Sequence, residues 1–409
     1  MGIDTVSTSK DEALYAKEET AFNTMVYPAG TDIVPLISDA VFEQPKGFFE
    51  DPQKKMTIDE LTKLPGGFSP GTFNFTMLIK PSGALGTPIK GAVLLKAGFG
   101  KQTTTGSTSD VFTLAGINDD LLGVTLVHRC GHRVTWNSGC VVNKLTFPIK
   151  AGNSLEAMGQ VQVSGTFCKQ VQAGYAYVHH ATHFDIGATD IVLHDAGNTV
   201  AAAQFEVGAK VHYRNATTGA VIDDNGGAGF TISAVVAATG TITHEALTAE
   251  VADGVICDGF VPTASDAGTP VFGRLGVAQE CIAAGTLANM TIMDAQIDIE
   301  NAFKIKDDEK TGTWWPQTGI RAANRKVTYT VNKVFQKGEA NYFAESKAQT
   351  LKHISMPVGD TAAYRYRFDM PTVAFDTPKI NRGDEMGIGR TGNALASASY
   401  NDSITLTFD

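Results

Sequence analysis

Gly66–Gly100, GGFSPGTFNFTMLIKPSGALGTPIKGAVLLKAGFG, reads as a strand, a glycine-rich corner and a short helix joined without slack. Phe73, Phe75, Met77 and Ile79 alternate with Asn74, Thr76 and Leu78, the period of a half-buried strand. Pro81, Gly83 and Gly86 turn the chain. Thr87 suits a helix N-cap, and Pro88 suits the first helical position, where a missing N–H costs nothing. Ile89, Val93 and Ala97 recur at helical spacing, and Gly98 and Gly100 suit the end. The stretch reads as the corner of a structural module, with no chemistry of its own.

Around this corner the chain is rich in glycine, Thr, Val and Ala and poor in long helical patterns, which predicts mainly β structure with many turns. Its 409 residues, 43% hydrophobic, suffice for two or three cored domains. No window approaches a membrane span, and no secretory leader is visible at the N-terminus. Cys130, Cys140, Cys168, Cys257 and Cys281 are scattered and odd in number, as expected of buried thiols in a reducing cytoplasm. The net charge of −10 is uneven: 1–65 and 181–285 carry −6 and −9, 66–180 carry +5, and 286–409 balance. An acidic chain is a poor general nucleic-acid binder, because phosphate neutralisation supplies most of that affinity.

The pattern divides the chain into four. Residues 1–65 read as an N-terminal arm, with one or two helical turns over Asp11–Glu19 and then prolines that break any long element. Residues 66–178 are β with the one helix. Short strands are predicted over Asp110–Leu114, Val124–His128 and Arg133–Trp136, then a hairpin of Cys140–Ile149 and Ala157–Phe167 turning at Ala151–Ser154. Residues 179–288 read as a small inserted β domain, with strands over Asp190–Leu193, Lys210–Arg214, Phe230–Val236, Gly240–His244 and Gly254–Phe260. Residues 289–409 use the parts list of the first region again: strands over Met293–Ile299 and Lys326–Phe335, a long loop Lys304–Asn324 between them, a helix-compatible Glu339–Gln349, and strands over Thr361–Phe368 and Ser403–Phe408.

Motifs for chemistry fail on inspection. Ala97–Thr108, AGFGKQTTTGST, lacks the first glycine and the Ser or Thr of a phosphate loop and follows a helix rather than a strand. His128, Cys130, His132 and Cys140 lack the spacings of structural zinc and read as half-buried strand residues. His179, His180, His183 and His194 read as a solvated linker at the domain junction; metal analysis decides both groups. Carboxylate pairs (Asp119/Asp120, Asp223/Asp224, Asp307/Asp308/Glu309) fall in turns, where solvated acids are the default. No nucleophile elbow or Ser/His/Asp set stands out, so no enzyme and no cofactor is expected. Trp314, Trp315 and Pro316 are more informative. Two adjacent tryptophans in a long polar loop suggest an anchor at an interface, the alternative being that the pair folds back on its own domain.

Several segments resemble the major tail tube proteins of long flexible-tailed (siphovirus-type) bacteriophages: ALYAKEETAFNTMVYPAG, GTFNFTMLIKPSGALGTPIKGAVLLKAGFG, NSGCVVNKLTFPIKAGNSLEAMGQVQVSGTF, AQIDIENAFKIKDDEKTG, RAANRKVTYTVNKVF and NDSITLTFD. The resemblance runs end to end except for the middle segment. It implies two tandem β-sandwich or barrel modules, each with a flanking short helix, plus the small inserted all-β domain projecting outward. Rings, three chains making a pseudo-sixfold ring, would stack into a tube around a lumen for DNA. The loop Lys304–Asn324 with Trp314, Trp315 and Pro316 would reach the adjacent ring. Implied partners are further copies of the chain, other tail proteins such as the tape measure and tail terminator, and genomic DNA only in passage, with no membrane. The implied place is the virion tail, made in the host bacterial cytoplasm. The rival expectations are another virion protein (baseplate, tail terminator or capsid decoration) and a carbohydrate-binding β protein. Tube lumens of this family tend to be acidic, but the net charge lies mostly in the arm and middle segment, and the sequence does not identify the lumen residues.

Overall fold

The computed structural model of the chain describes residues 12–50, 63–116, 122–151, 157–194, 199–265, 268–282, 285–306, 312–334, 342–382, 386–396 and 402–409. Strand Gly71–Leu78 forms where alternation predicts it, burying Phe73, Phe75 and Met77 and exposing Thr72 and Asn74. The helix, α1, spans Ala92–Phe99 and starts later than Thr87 and Pro88 predict. Gly91 is its N-cap at φ 76°, a left-handed conformation that favours glycine, and a Cβ there would lie 2.9 Å from the Met77 sulfur. Close packing of the corner on Gly71–Leu78, rather than capping chemistry, sets the start. Gly100 ends the helix in the left-handed region, donating its N–H to the Lys96 carbonyl.

The arm departs from expectation. Glu12–Glu18 is a strand, not helical turns, and pairs antiparallel with Val124–Cys130 from Glu12↔Cys130 to Glu18↔Val124. A full ladder plus burial of Leu14, Tyr15 and Ala16 outweighs the helix propensity of EALYAKE. The predicted strands at Arg133 and Cys140 are one strand, Arg133–Lys150, with a register shift between Asn137 and Cys140 and Gly139 at φ 64°. That shift lets one strand serve two sets of neighbours. Its first part pairs with Val124–Cys130 and Lys169–Ala173, its second with Gln160–Phe167 and Asp294–Glu300. The turn expected at 151–154 lies largely outside the described residues.

Eight strands run side by side in the order Val41–Glu43, Gly71–Leu78, Gln160–Phe167, Arg133–Lys150, Asp294–Glu300, Lys326–Val334, Met386–Ala394, Lys379–Arg382. They belong to a barrel-like sheet that also takes in Leu351–Val358, Tyr366–Phe375 and Thr405–Phe408. Two pairings join the regions before and after the middle segment: Lys144–Lys150 with Asp294–Glu300, and Asp110–Thr113 with Thr405–Phe408. One hydrophobic core accordingly spans both, from Phe75, Leu95 and Phe112 to Ile297, Tyr329 and Phe368.

At the joint, buried Asn301 donates its side-chain N–H groups to the carbonyls of Gly98 (2.7 Å) and Val142 (3.2 Å). It accepts from Arg325 Nε at 2.6 Å. Burial, with the neighbouring Arg321 charge, lowers the Arg325 pKa to about 10. The second helix, α2, is Tyr342–Lys347, inside the expected span.

The middle segment forms its own sheet, in which Tyr175–Val178 pairs with both Asp190–His194 and Ile256–Gly259. Expected strands appear at Asp190–His194, Lys210–Arg214, Thr241–Thr243 and Ile256–Gly259, while Phe230–Val236 is split into Phe230–Thr231 and Ala234–Val236. A second core lies under it and includes Tyr15, Val127, Val134 and Trp136 of the main sheet.

Candidate assembly interface

Alternation along the eight-stranded run puts the core on one face and a polar surface of balanced charge on the other. One rung crosses six strands in register: Thr76, Gln162, Thr146, Asp298, Thr328 and Asn393. The next holds Asn74, Ser164, Lys144, Glu300 and Lys326. Over the six longer strands the charged residues of this face are Asp294, Asp298 and Glu300 against Lys144, Lys150 and Lys326, so the face is neutral. The charges are also tied down: Lys144 Nζ lies 3.0 Å from Glu300 and 3.5 Å from Asp298. Thr146 Oγ1 donates to Asp298 at 2.6 Å, Gln296 Nε2 donates to Asp298 at 2.7 Å, and Asn332 Nδ2 donates to Asp294 at 2.6 Å. Short hydroxyl and amide side chains bonded along the rungs give a wettable surface with little free charge.

Both flanks of the run are short strands. Among the described pairings, Val41–Glu43 and Lys379–Arg382 each have a strand partner on one side only. Exposed backbone edges accept another strand by the same hydrogen bonds that build a sheet. Val41 and Ile380, half exposed, add apolar side chains at these two flanks.

The sequence predicts a loop without structure at Lys304–Asn324, but its ends pair as a hairpin, Phe303–Lys306 with Thr318–Arg321; 307–311 lie outside the described residues. A second hairpin, Lys46–Glu50 with Lys63–Phe68, stands beside it. Trp315 joins the two by stacking on Phe68, and the Phe68 N–H donates to the Trp314 carbonyl at 2.8 Å. Pro316 is buried, its carbonyl 3.4 Å from Asn23 Nδ2. Trp314 points out at 60% exposure, and Phe48 of the neighbouring hairpin at 63%. Of these three residues, then, Trp315 and Pro316 pack on the chain itself and Trp314 is left exposed. Phe48 is the exposed aromatic that sequence reading misses. Its only signal is a Phe in a segment cut by prolines.

The other flagged residues have structural roles. His128 Nε2 lies 2.7 Å from Glu12 Oε1, and its ring stacks on Phe42. Burial lowers its pKa against the opposing Glu12 contact. His132 lies beyond that strand's end, beside Tyr175. After α1, the failed phosphate loop continues as strand Gly100–Thr105. Asp223 is a correction: it is buried rather than solvated, accepting from Thr248 and Ala249 N–H groups at 2.7 Å, and so fixes a turn. Asp119, Asp120, Asp307, Asp308 and Glu309 lie outside the described residues. The histidines at 179–194 lie in and between strands rather than in a linker.

Where arm and sheet meet, buried Glu19 accepts from Gly139 N–H (2.8 Å), Asn23 N–H (2.7 Å) and Thr125 Oγ1 (3.0 Å). Burial raises its pKa, although these bonds pull the other way. Between the middle unit and the arm, a cavity of about 470 Å³ is lined by Tyr15, Arg129, His212, Arg214 and Phe260, among others. Its charged groups are largely committed. Burial disfavours the Asp258 carboxylate, but His212 and Arg214 outweigh it and lower its pKa.

No protein-family model matches the chain, and no curated protein matches it. No helix among the described residues is long and apolar enough to cross a membrane.

Proposed function

We propose that this chain is a structural, self-assembling protein, the tail tube subunit of a bacteriophage, and that it acts by assembly rather than catalysis. The observation carrying this reading is the eight-stranded run: one face on the core, the other polar and neutral, and a short strand at each flank with a partner on one side only among the described pairings. Joined edge to edge, such sheets close into a continuous wall. With strands about 4.8 Å apart and tilted about 40°, three copies enclose a backbone ring about 48 Å across. That width leaves room for a DNA duplex and its hydration. The two regions joined through Lys144–Lys150 and Asp294–Glu300 act as two tail-tube modules in this reading, so three chains make a pseudo-sixfold ring.

A neutral lining replaces the acidic lumen that the family resemblance leads one to expect. Paired charges and hydroxyls give DNA phosphates no cationic footing, which serves passage equally well. Trp314 and Phe48 supply apolar contacts from one ring to the next, and the middle unit decorates the outside.

Electron microscopy of the purified protein tests the reading, with native mass measurement of a single ring. Hollow stacked tubes built from three-chain rings are expected. Monomers or isolated rings that never stack favour another virion role, such as a baseplate, terminator or decoration protein, and glycan binding by the intact chain favours a carbohydrate-binding one.

A further inference from the structure

We propose that His183, Asp185 and Glu250 form a divalent-cation site on the middle unit, suited to a borderline first-row ion such as Zn2+. Their ligand atoms lie within 4.8 Å of one another, and His183 Nε2 is 3.0 Å from Asp185 Oδ1. Ligands about 2.1 Å from one ion sit about 3–4 Å from each other, so small rotamer changes bring the three onto a shared centre.

The backbone builds this cluster. His183–Phe184 pairs antiparallel with Val251–Ala252, in the register His183↔Ala252 and Phe184↔Val251. Asp185 and Glu250 are the next residues past the same end of that ladder, where they cluster with His183. The other face is anchored, because Val251 is fully buried in the second core and Phe184 packs against it. The three ligands thus gather at the end of a ladder held from behind.

Electrostatics supplies an independent argument. Like charges held close together repel, and the Asp185 and Glu250 carboxylate oxygens lie within 4.8 Å of each other. Among the described residues, Asp185 pairs with His183 and neither carboxylate pairs with Lys or Arg. Between His179 and Pro262 the only Lys and Arg residues are Lys210 and Arg214. Lys210 is bonded to the Ala228 carbonyl and lies over the Tyr27 ring, and Arg214 pairs with Asp258. A bound cation relieves the repulsion that no basic side chain among the described residues pairs to relieve. One imidazole with two carboxylates favours Zn2+ and its neighbours over Ca2+, which takes oxygen ligands only. The exposure of all three residues leaves coordination positions for water.

The test is calorimetric titration of ZnCl2 into the chelator-stripped full chain, with CaCl2 in parallel and thermal melts with and without Zn2+. One Zn2+ per chain is expected, with a rise in melting temperature on binding and no comparable uptake of Ca2+. His183→Ala and Glu250→Gln should each weaken binding by at least about tenfold, since even outer-shell changes cost about 10–100-fold at metal sites. Both side chains are exposed, so the fold should survive, and unchanged zinc-free melts check that. His179→Ala with His194→Ala, which removes the neighbouring ring pair, should leave binding unchanged. The proposal is overturned if the wild type takes up no Zn2+ below millimolar concentration. It is equally overturned if the His183 and Glu250 variants bind as the wild type does, or if only the His179/His194 variant loses binding.

Discussion

The indole of Trp315 lies flat on the phenyl ring of Phe68, ring centroids 3.9 Å apart and planes 4° from parallel. The two residues belong to different hairpins, far apart in sequence, and the stack with the Phe68 N–H to Trp314 carbonyl bond makes one rigid projection of them. Lys46 Nζ lies 5.3 Å from the same Phe68 ring. A double tryptophan therefore has divided duties here: one ring braces, the other is presented.

That division separates two variants. Trp315→Ala loses the stack, about 0.5–1.5 kcal/mol beyond its buried area, and should lower the melting temperature of the monomer. Trp314→Ala should leave the monomer's melting temperature unchanged and shorten or abolish stacked tubes, as should Phe48→Ala. Micrographs and melts of both read the outcome directly. Equal effects on tubes from an unstacked Trp315 and a missing Trp314 are expected only if the brace also positions the presented ring.

Asn301 welds the two halves through three polar contacts in a buried setting. Asn301→Leu leaves the Gly98 and Val142 carbonyls and the Arg325 guanidinium short of a partner, at about 1–3 kcal/mol for each group left unsatisfied. A large drop in the denaturant midpoint is expected, far larger than for an exposed polar residue such as Asn74→Leu. A midpoint unchanged within error refutes the weld.

His244 gives the protein an acid sensitivity of known sign. Burial between Tyr213 and Phe230 pushes its pKa below the ordinary 6.5, against the Glu245 carbonyl and the charges of Glu245, Asp223 and Asp190. The unfolded chain takes up a proton near 6.5 that the folded chain refuses. This contribution is therefore complete above 6.5 and is lost as pH falls below it. His128, lowered by burial despite Glu12, adds in the same direction. The melting temperature should fall between about pH 7.5 and 5.5, the range over which histidine charges. His244→Gln should flatten that slope, and an unchanged slope removes His244 from the account.

The neutral face offers a gain-of-function test. Thr328→Lys with Thr391→Lys adds charge on side chains that carry no core contact, so the fold should hold. Each new phosphate contact steepens the salt dependence of DNA binding by about 0.9 in log–log slope. Assembled variant tubes should retain DNA at low salt and release it at high salt, where wild-type tubes retain none. Indifference of both to DNA argues that this face is not the lining.

Local signals were legible wherever one short segment carried them. Phe73, Phe75 and Met77 announced a strand by their period, as did Val327, Tyr329 and Val331 of Lys326–Val334. Gly100 announced the end of α1. What failed depended on partners distant in the chain. EALYAKE reads as helix until Val124–Cys130 lies beside it, and Gly91 takes the cap that Thr87 was suited to because Met77 crowds the corner. The polar face is visible only once registers are known, since Thr76, Gln162, Thr146 and Asp298 share a rung by no rule of sequence spacing. The site behaves similarly: Trp314 stood out as a residue type, but only the stack on Phe68 tells it from Trp315.

Thr405–Phe408 pairs both with Tyr366–Asp369 and with Asp110–Thr113. Synthesis delivers these strands at widely different times, and the loop to be closed between the first and the last is most of the molecule. The sheet beside Asp110–Thr113 therefore waits for Thr405–Phe408, the last of these strands to be made. In the assembly proposed above, that order delays edge-to-edge joining until Thr405–Phe408 has docked on both of its neighbours.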